Sequence, residues 1–272
     1  MIKYVIAASL LLVGCGVEEQ NAGNPLSLYT FDCGSIEVSD LDAFSSTGDY
    51  AGQSGSLTNT CYLIRHPQGD LLWDLGLPDA LVGVGPQTEG IFTTTLERTL
   101  IEQLAYIGLT AQDIEFVSIS HSHFDHSGQA ALFSESQWLV NKNEFDYMFS
   151  TDANKVQNAA FAELSNSIHT GNLDVFGDGS VMILELPGHT PGHSALQVNL
   201  TDSGPVLLTG DLYHRTESRE LKRVPRFNSD EPQTRESMDL FEMLATESGA
   251  RVIIQHEPAD VATLPKPPAF LK

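Results

Sequence analysis

Ser118-Ile-Ser-His121-Ser-His123-Phe-Asp125-His126-Ser-Gly128 places three imidazoles and a carboxylate inside six positions. One short turn cannot aim four such groups at a single ion as a tetrahedron. It can divide them between two neighbouring ions, His121 and His123 on one, Asp125 and His126 on the other. Imidazole with carboxylate, and no thiol nearby, suits zinc or a similar divalent metal. The plain alternative is a solvated loop that happens to be rich in histidine. With nine histidines in 272 residues, so dense a cluster is rare by chance.

Two ions need further ligands, and the rest of the chain offers them in order. His189 stands in Gly188-His-Thr-Pro-Gly-His193, directly after the apolar run Val181–Leu186. Val206-Leu-Leu-Thr-Gly210-Asp211 is a second apolar run ending in a carboxylate, and Arg251-Val-Ile-Ile-Gln-His256 a third, ending in histidine. The first cluster also follows a strand-like run, Phe116–Ser120. Each candidate ligand therefore sits just beyond the carboxyl end of a short strand, where α/β scaffolds gather their sites.

With these residues in view, the chain resembles the metallo-β-lactamase superfamily, whose fold is an α/β, αββα sandwich. The likeness runs over nearly all of 28–272: His-x-His-x-Asp-His at 121–126, the isolated His189, Gly210-Asp211, His256, and an earlier Leu71-Leu-Trp-Asp74-Leu-Gly76 like the family's Asp-x-Gly strand end. The resemblance implies His121, His123 and His189 on one metal, Asp125, His126 and His256 on the other, and Asp211 bridging both. A bridging aspartate points to the dinuclear hydrolases rather than to the true β-lactamases, which generally lack it. Asp74 reads as a carboxylate that orients a ligand histidine rather than as a ligand. His169 and His193 read as hydrogen-bonded or surface histidines.

The amino terminus reads separately. Met1-Ile-Lys3, the apolar run Tyr4–Val13 and Gly14-Cys15-Gly16 together form a secretory signal, the apolar run being too short to span a bilayer comfortably. Leu12-Val-Gly-Cys15 resembles the bacterial lipobox, which implies cleavage after residue 14, a lipid on Cys15 and an exported, envelope-anchored protein. Residues up to 27 then read as a flexible tether. Two cysteines remain, Cys33 and Cys61, both in strand-like runs. They are open to two readings, a pair or buried free thiols.

The chain is long enough for one large core, with no low-complexity linker dividing it. Its formal net charge of −22 repels phosphate, so nucleic acid is excluded as a partner and the superfamily's nucleases become poor candidates. Leu28–Ser39 and Asn59–Leu75 read as strands, the second folding as a hairpin at His66-Pro-Gln-Gly69. The Ser/Gly-rich stretch Leu41–Ser56 between them reads either as a lid over the site or as a passive insertion. Thr94-Thr-Leu-Glu97 has the form of a capping box opening a helix closed by Gly108. A helical region is expected over about 143–168, with Phe145, Met148 and Phe149 as core, and a last helix over Thr234–Ser248.

Two divalent ions about 3.5–4 Å apart share a water, lower its pKa and polarise a substrate carbonyl, so the metal-bound hydroxide becomes the nucleophile. Asp125 is placed to pass the nucleophile's proton to the leaving oxygen. In lactonases that open N-acyl-homoserine lactones, the bridging aspartate is followed three residues later by a tyrosine whose hydroxyl assists at the carbonyl. Here Asp211-Leu-Tyr213-His214 puts tyrosine at plus two and histidine at plus three, so Tyr213 or His214 takes that role, with tyrosine preferred. The combined pattern, including Phe31-Asp-Cys-Gly34 and Arg223-Val-Pro-Arg-Phe227, is most similar to the quorum-quenching lactonase branch. Alternatives on the same site are a broad esterase or organophosphate hydrolase, and a thioesterase, which would carry a basic patch that Pro258–Pro265 lacks. From a different class comes a zinc-scavenging lipoprotein, but ligands spread over four strand ends suit a preorganised catalytic site better.

Overall fold

The structure, a computed structural model, describes residues 25–272. The expected signal segment, Cys15 and most of the tether lie outside those residues. Among the described residues no helix is long and apolar enough to cross a membrane.

Two sheets face each other. The first is built from β1 (Ser27–Val38), β2 (Gly55–His66), β3 (Gly69–Trp73), β4 (Gln87–Glu89), β5 (Phe92–Thr95), β6 (Phe116–Ser118), β7 (Gln137–Asn141) and β8 (Ser165–His169). Its spatial order is β4-β5-β1-β2-β3-β6-β7-β8. The second contains β9 (Leu173–Asp174), β10 (Val181–Glu185), β11 (Ser194–Leu200), β12 (Gly204–Leu208) and β13 (Arg251–Ile253), in the order β13-β12-β11-β10-β9. The helices are α1 (Leu100–Tyr106), α2 (Phe124–Ser127), α3 (Lys142–Met148), α4 (Asp152–Gln157), α5 (Ala159–Ala162), α6 (Thr216–Leu221), α7 (Glu231–Ser248) and α8 (Pro258–Val261).

Strand alternation sorts the apolar residues into three layers. Tyr62, Ile64, Leu71 and Trp73 meet Ile183, Leu196, Val198 and Leu208 between the sheets. Phe31, Leu63, Leu72 and Val117 face outward to Leu100, Leu104, Met148 and Phe161 of the helices on that side. Ala195 and Leu207 face the other way, onto Met238, Phe241 and Ala245 of α7. The result is the expected αββα sandwich.

Several local expectations needed correction. Thr94 lies in β5, where a β-branched run pairs with β1 and β4. The functional capping box stands five residues later, with Thr99 accepting from the Glu102 amide and Glu102 accepting from the Thr99 amide at 2.8 Å. Residues 143–168 form three short helices and strand β8 rather than one helix. Thr151 starts a new one by capping Asn154, and Asn158 closes it. Phe145, Met148 and Phe149 do pack as core, around Trp138. Helix α7 begins at Glu231, capped by Asp230. Cys33 and Cys61 form a disulfide, with their Cα atoms 5.8 Å apart. Phe31 is the residue registered opposite Cys61, and a bulge between Asp32 and Gly34 lets Cys33 reach it.

Candidate metal centre

The parallel pairs β3–β6 and β12–β13 bring four strand ends to one edge of the sandwich. His121, Asp211 and His256 each lie three residues beyond the end of β6, β12 and β13, and His189 four beyond β10. Asp125 and His126 sit in α2, directly after His123. All seven expected ligands converge, and six are fully or almost fully buried, His123 being intermediate.

They fall into two sets. His121, His123, His189 and Asp211 form one; Asp125, His126 and His256 form the other; within each set the donor atoms lie within 4.8 Å of one another. Asp211 faces both. Its Oδ2 is 3.5 Å from His121 Nε2 and 3.4 Å from His189 Nε2, while its Oδ1 is 3.1 Å from His126 Nε2 and 2.9 Å from His256 Nε2. That is the arrangement of a bridging carboxylate.

The donor set itself tests whether cations fit. His121 Nε2 and Asp211 Oδ1 are buried without a hydrogen-bond partner. His123 Nδ1 and His189 Nε2 approach to 3.1 Å, as do His126 Nε2 and His256 Nε2 to 3.2 Å. Imidazole nitrogens turned on one another in a buried site are accounted for by a shared cation. Without one, the charge balance is lopsided. Burial holds His121 and His123 well below the ordinary histidine pKa. Burial acts likewise on His126, but Asp211, Asp125 and Asp74 outweigh it and raise its pKa well above that value. Asp211 is buried too, yet the imidazoles around it, His126 foremost, keep its carboxyl well below the usual range.

A layer of hydrogen bonds fixes these side chains, and it contains residues that motif reading does not single out. Asp74 behaves as expected. Its Oδ2 accepts from His126 Nδ1 at 3.0 Å and from Gln255 Nε2 at 2.7 Å, and its Oδ1 accepts from the Ser120 amide at 2.6 Å. These bonds hold it at φ 60°, a left-handed conformation that costs a non-glycine residue energy. Glu144, buried on α3, ties the two histidine loops together by accepting from the Ser122 amide at 2.8 Å, Thr190 Oγ1 at 2.7 Å and the Gly192 amide at 3.0 Å. Gln255 Oε1 accepts from the Gly210 amide at 3.0 Å, and Asn59 Nδ2 donates to the Asp125 carbonyl at 2.8 Å.

His193 stands outside both donor sets, with both ring nitrogens hydrogen-bonded. Its Nδ1 donates to the Leu186 carbonyl at 2.9 Å, which leaves Nε2 as the acceptor for the Asp211 amide at 3.0 Å. Burial drives its pKa down to about 3, keeping that nitrogen unprotonated. Gly210, at φ 53°, passes so close that a Cβ there would lie 2.7 Å from His193 Nε2. His169 stays away from the site, its Nδ1 donating to the Gly171 carbonyl at 3.0 Å.

The two neighbours after Asp211 part company. Tyr213, preferred in sequence as the outer donor, points away. Its side chain joins the core under α7, and its hydroxyl donates to Glu242 Oε1 at 3.0 Å. A 3-10 turn over Gly210–Leu212 followed by an extended Tyr213, at φ −138° and ψ 136°, sends the plus-two side chain towards the helix. His214 turns the other way, with Nε2 3.0 Å from Asp211 Oδ2, and burial lowers its pKa.

A cavity of about 240 Å³ opens onto His123, Asp125, Asp211, His214 and His256. Its remaining wall is apolar: Ile36, Leu57, Phe44, Phe92, Phe124 and Phe227. Phe44 comes from Leu41–Ser56, which crosses the site and is tied down elsewhere. Arg223 pairs with Asp49, Arg226 with Asp42, and Ser46 Oγ donates to Glu231 at 2.9 Å.

Comparison with known proteins agrees with this architecture. The chain is 27% identical over 227 residues to the N-acyl homoserine lactonase AttM of Rhizobium radiobacter, covering 77% of this chain and 85% of that one. It is 30% identical over 171 residues to an N-acyl homoserine lactonase of Bacillus sp, covering 59% and 66%. Among solved structures, an N-acyl homoserine lactone hydrolase with N-hexanoyl-L-homoserine at its catalytic metal centre superposes with TM-score 0.79 at 24% identity, over 91% of this chain and all of that one. The dizinc quorum-quenching lactonase AidC superposes with TM-score 0.68 at 18% identity, over 90% and 93%; at such identities the likeness is one of fold. Residues 55–256 match the sequence pattern of the Metallo-beta-lactamase superfamily, and the chain belongs to that family.

Proposed function

We propose that this protein is a dinuclear metal-dependent hydrolase that opens the ring of N-acyl-homoserine lactones. The observation that carries the reading is Asp211. One buried carboxylate faces two complete ligand sets and, through its Oδ2, the His214 that replaces the expected tyrosine at plus three. Relatives named as N-acyl homoserine lactonases, covered over most of their length, support it.

Divalent ions, for which these imidazole and carboxylate donors suit zinc, would be held by His121, His123 and His189 and by Asp125, His126 and His256, with Asp211 facing both sets, and would supply Lewis acidity and activation of water near neutral pH. The chain's own residues do the rest. The apolar cavity takes the acyl chain and keeps water off the ring. His214, buried and neutral, shares its Nε2 proton between Asp211 Oδ2 and the substrate carbonyl oxygen, so the developing oxyanion meets a donor already in place. Asp125, 7% exposed at the cavity wall, carries a proton to the ring oxygen as the acyl C–O bond breaks, releasing the open hydroxy acid. We also infer that the mature protein starts at a lipidated Cys15 in a bacterial envelope. The lipobox-like Leu12–Cys15 supports this.

The test is a panel of acyl-homoserine lactones of graded chain length, given to metal-replete protein, with ring opening followed as acid release. Turnover of at least one member is expected. Failure on all of them, with hydrolysis of simple esters or phosphotriesters, moves the esterase reading ahead. Two bound ions with no hydrolysis at all moves the scavenger reading ahead.

A further inference from the structure

A larger cavity, about 480 Å³, is lined by β1, β2, α1 and the stretch after α8, and none of the candidate metal ligands lines it. It is lined by Thr30, Thr60, Arg98, Tyr106, Leu264 and Lys266, among others. Four observations give it the character of a binding site.

The first is a gap in a strand edge. β5 covers β1 only at Ser35–Val38. Further along the same edge, Leu28 exchanges two hydrogen bonds with Leu271, at 2.9 and 3.0 Å. Asp32 exchanges two with the side chain of Gln103, which imitates a strand partner at 3.0 and 2.7 Å. Alternation along an antiparallel strand turns the amide and carbonyl of Thr30, midway between them, to the same side. Among the described residues nothing meets them.

The second is unmet side-chain polarity. Thr30 Oγ1 and Asn59 Oδ1, on two residues that line this cavity, are buried and lack hydrogen-bond partners. The third is charge. Acidic groups far outnumber the 14 lysines and arginines, and nearly every basic side chain has found a partner. Among the described residues, Arg98 and Lys266 are the two that make neither an ion pair nor a side-chain hydrogen bond, and both line this cavity. The fourth is apolar surface. Tyr106, 63% exposed, and Leu264 stand beside the polar edge.

We propose that this cavity binds a small N-acylated amino acid. Its amide N–H donates to the Thr30 carbonyl and one carboxylate oxygen accepts from the Thr30 amide, the two groups flanking one Cα as in a strand, while Arg98 and Lys266 neutralise the carboxylate. The acyl chain lies on Tyr106 and Leu264. A free edge supplies donor and acceptor side by side, and a guanidinium matches a carboxylate's two oxygens. The class includes the ring-opened product of the reaction proposed above, although binding here does not depend on that reaction.

N-Hexanoylglycine, which has no lactone to open, is the probe, titrated calorimetrically into metal-loaded protein. Arg98→Glu/Lys266→Glu should weaken binding by at least about tenfold, the equivalent of losing one charge-assisted hydrogen bond. Both side chains are exposed, so the fold should be unaffected, as a thermal melt verifies. The Asp211→Ala variant should bind the probe within twofold of wild type. In the Asp211→Ala variant, where ester hydrolysis is suppressed, the ester analogue O-hexanoylglycolate, which lacks the amide N–H, should bind at least about fivefold more weakly than N-hexanoylglycine. Absence of binding at millimolar probe, or undiminished affinity after the double charge reversal, overturns the proposal. So does loss of binding in Asp211→Ala, which would place the probe at the metal centre.

Discussion

The floor of the catalytic cavity and its roof are built on different principles. The floor is a set of strand ends on parallel pairs, its candidate ligands mostly buried and several held by a hydrogen bond from behind: His126 by Asp74, His189 by Asn228, His256 by the Thr58 carbonyl and the Asp211 amide by His193. The roof is the connection from Leu41 to β2, a 3-10 turn carrying Phe44 followed by a loop, and the loop carrying Phe227, the two joined by ion pairs at the surface. Rigid, buried donors suit a job that tolerates no displacement, while an aromatic roof on loops suits a chain of variable length. Substitutions in the floor should therefore cost orders of magnitude, and those in the roof a few fold.

The sharpest break in the floor is Asp211→Ala. It removes the one group common to both ligand sets and leaves His126 and His256 facing each other with less negative charge. We expect loss of at least one ion per chain and a fall in turnover well beyond the hundredfold typical of losing an outer hydrogen bond to a ligand. Metal content by mass spectrometry alongside turnover checks this, and a fully active one-ion protein would contradict the bridging role.

The floor was largely legible in sequence, because its chemistry demands residue types that are scarce and its strands announce their ends. The seven candidate ligands and the role of Asp74 could be named from spacing and resemblance, and the fold brings all seven together. The plus-two residue could not be placed, since turning towards α7 rather than the cavity depends on the backbone after Leu212. Glu144, Gln255 and Asn59 carried no signal, because their importance is a matter of what a neighbouring loop leaves unpaired. The roof was read as a lid or an insertion, and nothing in Ser45–Gly55 revealed that Arg223 and Arg226 would pin it. Two cysteines in strands left pairing open, since a bulge decided it.

Next in size comes the pair after Asp211. His214→Ala should lower lactone turnover by about a hundredfold with both ions retained, the usual cost of one donor to a developing oxyanion. Tyr213→Phe should leave turnover nearly unchanged. It removes a hydrogen bond to Glu242 whose loss costs about 1–3 kcal/mol of stability, visible in a melt. Equal losses of turnover in both would remove the distinction drawn between them.

His193 measures how far the floor depends on its supports. His193→Ala frees the Asp211 amide and opens a void, and we expect metal affinity or turnover to fall about 10- to 100-fold. Gln at 193 places an acceptor near the position of Nε2 and should recover part of the loss, whereas Asn, matching Nδ1 instead, should not. Metal affinity by chelator competition reads this without recourse to catalysis. Equal behaviour of the two amides would mean that His193 merely fills space.

The roof gives the smallest effect and the one most dependent on substrate. Phe227 lies 5.3 Å from Phe44 and 6.0 Å from His214 between ring centroids, so it stands over both the aromatic wall of the cavity and His214. Phe227→Ala should raise KM for long-chain lactones several fold, since each buried methylene contributes about 0.8 kcal/mol and only part of the chain rests on this ring. Lactones with the shortest acyl chains should lose little, because they do not reach it. If short and long chains suffer alike, with kcat reduced rather than KM raised, the ring acts by holding His214, and Phe227 belongs functionally to the floor.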